Sequence, residues 1–71
     1  MSVYVISRDS IAIRVYKKSQ AAIDFATQTV KGWAQETNSE HAVQTWPGGA
    51  KVYVIGNDVN EALYVTEMKL H

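Results

Sequence analysis

Short alternating runs of hydrophobic and polar positions fill most of this chain, and one stretch breaks them with a longer period. Val3 to Ile6 alternates weakly, Ser7-Arg8-Asp9-Ser10 carries turn chemistry, and Ile11 to Tyr16 alternates cleanly with Ile11, Ile13 and Val15 on one side. These runs predict a β-hairpin, with one long bent strand as the alternative. From Ser19 the period becomes helical: Ala22, Ile23, Phe25, Ala26, Val30, Trp33 and Ala34 gather on one side of the wheel and Gln20, Asp24, Gln28, Lys31 and Gln35 on the other. Ser19 is the expected N-cap and Asn38 the expected left-handed residue past the C-terminus. Gly32 interrupts the helix and is explained, on this reading, by close approach to a sheet.

After the helix, His41 to Trp46, Ala50 to Ile55 and Ala62 to Leu70 read as strands, joined by turns at Pro47-Gly48-Gly49 and from Gly56 through Asn60. The order is ββαβββ, or βαβββ if the first hairpin is a single strand. One helix covers one face of a sheet, so residues 1–71 predict a single α+β domain. It is a two-layer sandwich with one amphipathic helix on a mainly antiparallel sheet of four to five strands. The expected core pairs the helix stripe with Val3, Val5, Ile11, Ile13, Val15, Val52, Val54, Leu63 and Val65. Glu67 falls on that aliphatic side and is expected beyond the helix's footprint or displaced by a bulge.

If the aliphatic set is core, alternation turns Tyr4, Tyr16, Tyr53 and Tyr64 to the uncovered face. Arg14, Lys51, Ile55 and Met68 follow the same parity, as does Ile6. Tyr4, Arg14, Tyr16, Lys51, Tyr53, Ile55, Tyr64 and Met68 are therefore the candidate partner-binding residues. Strand tyrosines often do no more than cross-strand packing. Here their apolar neighbours extend them into a patch of the kind that monomers rarely leave exposed. Trp46 is expected in the core or at the rim of this face.

Composition narrows the setting. At 71 residues the domain buries only about 60% of its unfolded surface. With no cysteine, disulfides are excluded and a structural zinc site is disfavoured, which gives weight to a homodimer. The same absence of cysteine points to a cytoplasmic chain. No signal peptide or membrane-length apolar stretch is visible. Seven basic residues balance seven acidic ones. The basic residues dominate up to Lys31 and the acidic ones after it, a division that suits head-to-tail or strand-to-strand charge complementarity as well as it suits a basic patch.

Catalytic patterns are absent from the sequence. His41 and His71 have no metal-ligand spacing, no serine stands in a GxSxG elbow, and Gly48-Gly49 precedes a strand where a phosphate loop would precede a helix. The expectation is a non-enzymatic protein with no cofactor and no metal. Its expected function is to bind a protein partner through the tyrosine face, as a homodimer. The alternative is single-stranded nucleic acid, with rings stacking bases and Arg8, Arg14, Lys17 and Lys51 meeting phosphates. Zero net charge weighs against it. In general architecture the chain resembles small α+β proteins of bacteria and phages that block or tune a larger partner, and the resemblance implies an inhibitor or regulator.

Overall fold

The computed structural model describes residues 1–56 and 61–70. It contains β1 (Ser2–Arg8), β2 (Ile11–Tyr16), α1 (Ser19–Glu36), β3 (Glu40–Trp46), β4 (Gly49–Ile55) and β5 (Ala62–Lys69). The strands form one five-stranded antiparallel sheet in the order β2-β1-β5-β4-β3 with α1 on one face, the expected α+β sandwich. The expected turn after Gly56 and the terminal His71 lie outside the described residues.

The first hairpin is a true hairpin. Asp9 and Ser10 both take positive φ, 52° and 67°, the two left-handed residues of a type I′ turn whose twist matches that of paired strands. At the second hairpin, Pro47 supplies a fixed negative φ and Gly48 sits at φ 86°, the pattern of a type II turn. Trp46 then pairs with Gly49. An added Cβ at Gly49 would lie 2.7 Å from both the Trp46 indole nitrogen and the Val65 carbonyl oxygen. The carbonyl belongs to the adjacent strand and cannot swing away. Gly49→Ala is therefore expected to destabilise by about 1–3 kcal/mol, measured by urea unfolding.

Two expectations about α1 need correction. Its N-cap is Lys18, with no side-chain cap bond, and Ser19 is the first helical residue. At Gly32 a Cβ would meet nothing within 4 Å, so close packing does not explain the glycine. Gly32→Ala is expected to stabilise by up to about 1 kcal/mol, read as a rise in Tm. The C-terminus behaves as expected: Asn38 takes φ 53°, while Ser39 N–H donates to Ala34 O and Asn38 N–H to Gln35 O, closing a Schellman motif.

The core is small. Ala22, Ala26, Val30 and Ala34 recur every four residues and are buried against Ile6, Ala50, Val52, Val54, Leu63 and Val65. The alanines bring the helix axis close to the sheet, and Ile6, Leu63, Val30, Val52 and Val65 are its largest fully buried side chains. Chain direction sets the helix's path. It leaves the end of β2 at one edge of the sheet and delivers the chain to the start of β3 at the other edge, so it crosses diagonally. Two corners on the helix side lie off this diagonal: one at the Arg8–Ile11 end of β1 and β2, the other at the Trp46–Gly49 end of β3 and β4.

The diagonal inverts the expected faces of β1 and β2. Ile6, expected on the open face, is fully buried opposite Val65. Tyr4 and Tyr16 pair with each other and pack against the core. Val3 and Val5, expected in the core, are half-buried on the open face, while Ile11, Ile13 and Val15 are exposed. A bulge ends the inversion and returns Ile11, the partner of Arg8, to the parity of the helix side. Ile6 pairs with Arg14 and Ser7 with Ala12, which leaves Ile13 as the extra residue. The physical reason is reach. At the edge under the helix's flank, short aliphatic side chains cannot touch α1, whereas tyrosine and arginine can and still keep a polar end in water. Tyr16 lies 5.9 Å from Phe25 between ring centroids. The guanidinium carbons of Arg14 and Arg8 stand 4.6 Å over Phe25 and 4.4 Å over Trp33.

Candidate functional site

The open face consists of the side chains that share parity across paired strands. Val5 pairs with Val15 and Thr66, Val3 with Met68, Ser7 with Tyr64, Lys51 with Tyr64 and Gln44, and Tyr53 with Ala62 and Ala42. The result is a face in two halves. Towards the start of β1 it is aliphatic, formed by Val3, Val5, Val15 and Met68. Towards the end of β4 it is aromatic and polar, formed by Tyr53, Tyr64 and Lys51, with Ile55 at its margin.

Of the eight candidate residues, the structure brings Lys51, Tyr53 and Tyr64 together and places Ile55 and Met68 at opposite ends of the same face. Tyr4, Arg14 and Tyr16 are on the helix side, and their grouping with the others is corrected by the register of β1 and β2. The residues missed are Val3, Val5 and Val15. The signal that could have found them is the neighbouring Ile6, since Val5 and Ile6 cannot both face the core of one regular strand.

The Lys51 ammonium lies 5.0 Å from the Tyr53 ring centroid and 5.5 Å from that of Tyr64. The two rings hold the cation over the sheet surface and shield one side of it from water. A shallow depression of about 580 Å³ surrounds it, bordered by Ser7, Asp9, Lys51, Tyr53, Glu61 and Tyr64. This half therefore carries both signs of charge, one cation flanked by two carboxylates.

Val15, Met68, Ile55 and Tyr64 are 59, 53, 46 and 42% exposed. No described element covers them, because the only helix among the described residues is on the opposite face. Among the described residues there is no group of three or more His, Asp or Glu side chains that could hold a metal ion. Nor is any described helix long and apolar enough to cross a membrane.

The fold and its site define a class: a small two-layer α+β sandwich with one sheet face packed and the other partly apolar and uncovered. The chain matches no protein-family model, no curated protein and no solved structure.

Proposed function

We propose that this is a non-enzymatic protein-interaction module whose open sheet face is the contact surface, and that a second copy of the chain is its occupant. The observation that carries this reading is the continuous band Val15, Val5, Val3 and Met68, left in water by a domain whose core is already small. A two-fold contact must be self-complementary. The aliphatic half can pack against itself, and Lys51 with Asp9 and Glu61 offers each copy both a cation and its counter-charges. Five strands at about 4.8 Å spacing, with six to eight residues at about 3.3 Å rise, make a face of roughly 500–600 Å² in plan. That is the low end of what a specific dimer buries, the size of a weak or transient contact.

The β2 edge supports this choice of face. The bulge at Ile13 interrupts the hydrogen-bonding edge of β2, a feature that discourages strand addition. Nucleic acid has less support, since Arg8 and Arg14 are stacked on the helix aromatics and not spread over the open face. As an inhibitor or regulator the module would act by occupying a larger protein, the dimer fixing the geometry of that contact. We place it in the cytoplasm on the same footing, since a chain without cysteine gains nothing from an oxidising compartment.

Sedimentation equilibrium from low to high micromolar concentration tests the reading. A concentration-dependent shift from monomer to dimer mass is the expected result. A protein that stays monomeric throughout overturns it.

A further inference from the structure

The second corner left by the diagonal helix holds a cleft of about 200 Å³ bordered by Tyr4, Trp46, Glu67, Ser19 and Ile23. We propose that this cleft binds an alkylammonium group, with the Tyr4 and Trp46 rings as its walls and the Glu67 carboxylate as its counter-charge. Tyr4, Val65 and Glu67 share the helix side of the sheet, opposite the open face, and Trp46 reaches the cleft from the hairpin end, where it pairs with Gly49.

Four observations carry it. Glu67 follows Leu63 and Val65 on the helix side of β5, both of which are buried and aliphatic, and among the described residues it is the only charged one lining the cleft. It is half-buried beyond the start of α1, and it is the direct cross-strand partner of Tyr4, so ring and carboxylate emerge side by side. Next, the side-chain hydrogen bonds among the described residues all lie within or just after α1, and none engages the Glu67 carboxylate. Finally, Trp46 is held in place although 46% exposed, because its ring lies against Gly49 where any larger residue would collide with it.

Two aromatic side chains and one carboxylate in a small cleft make a site for a cation with an apolar surface. The cleft is smaller than a drug-sized pocket and suits a head group. The start of α1, at Ser19 and Ile23, also borders it. The cation could come from a lysine side chain of another protein or from a free quaternary amine, and both present the same chemistry.

The test follows the Trp46 indole N–H resonance in the ¹⁵N-labelled protein, assigned with Trp46→Phe, at constant ionic strength. Choline and N-acetyl-lysine methylamide are titrated beside 3,3-dimethylbutan-1-ol, which has the shape of choline without its charge. At least one cation is expected to give a saturable shift at roughly 1–10 mM, with the neutral alcohol at least about fivefold weaker. The tighter of the two cations identifies the source. Glu67→Gln is expected to weaken cation binding by about fivefold or more and leave the alcohol unaffected, with an otherwise unchanged spectrum showing that the fold is kept. No saturable shift for either cation up to about 50 mM overturns the proposal. So does an alcohol that binds as well as choline, or a Glu67→Gln variant that binds cations as tightly as the parent.

Discussion

Ile6→Ala is expected to lower stability by about 2–5 kcal/mol, while Val5→Ala, one residue away, costs less than about 1 kcal/mol at protein concentrations where the monomer dominates. Ile6 is fully buried against Val65 and the helix, so truncation loses its transfer free energy and leaves a cavity that the surrounding strands cannot close. Val5 is half-buried on the open face beside Val15 and Thr66, where water replaces the missing methyl groups. A chain of 71 residues has roughly 4–10 kcal/mol in total, so Ile6→Ala removes much of its margin. Urea unfolding of both variants at low micromolar concentration measures the difference. Equal costs, or a larger cost at Val5, would show that the face assignment of β1 is wrong. Tyr4 extends the comparison. Because it packs against the core, Tyr4→Ala is expected to destabilise the monomer more than Tyr64→Ala, whose ring is 42% exposed on the open face.

Thr66→Lys is expected to raise the dimer dissociation constant by about 100-fold or more while shifting monomer stability by no more than about 0.5 kcal/mol. Thr66 is exposed in the middle of the open face and pairs with Val5 on one side and Gly49 on the other. In the monomer a lysine there extends into water. In a face-to-face dimer its ammonium would be buried against Val5 and the aliphatic half, and the depression that Thr66 also borders already holds one cation, Lys51, for its two carboxylates, Asp9 and Glu61. Sedimentation equilibrium of the variant beside the parent reads the effect. A Thr66→Lys protein that dimerises as well as the parent would move the contact off this face.

The helix, the order of elements and the β4–β5 half of the open face were legible in the sequence. Lys51, Tyr53 and Tyr64 are flanked by aliphatic alternate residues, Val52 and Val54 in one strand and Leu63 and Val65 in the other, so only one assignment of faces buries the apolar set. β1 and β2 offered no such contrast. Val3-Tyr4-Val5-Ile6 is apolar on both sides, and in β2 Ile13 and Val15 are left in water because Arg14 and Tyr16 occupy the helix side. Alternation identifies which residues share a face but not which face is covered. Where both sets are apolar, the pairing partner decides.

Glu67 shows the same division. Its parity marked it as an intruder on an aliphatic face, but its cleft with Trp46 and Tyr4 exists because the helix crosses from the β2 edge to the β3 edge and leaves that corner open. By itself the sequence determined local periodicity, turn chemistry and the ββαβββ order, since these depend on neighbouring residues and on the backbone preferences of glycine, proline and asparagine. Only the tertiary structure decided strand order, the bulge at Ile13 and the diagonal path of α1. These set which side chains reach the helix and which are left on the open face, because they arise from contacts between residues far apart in the chain.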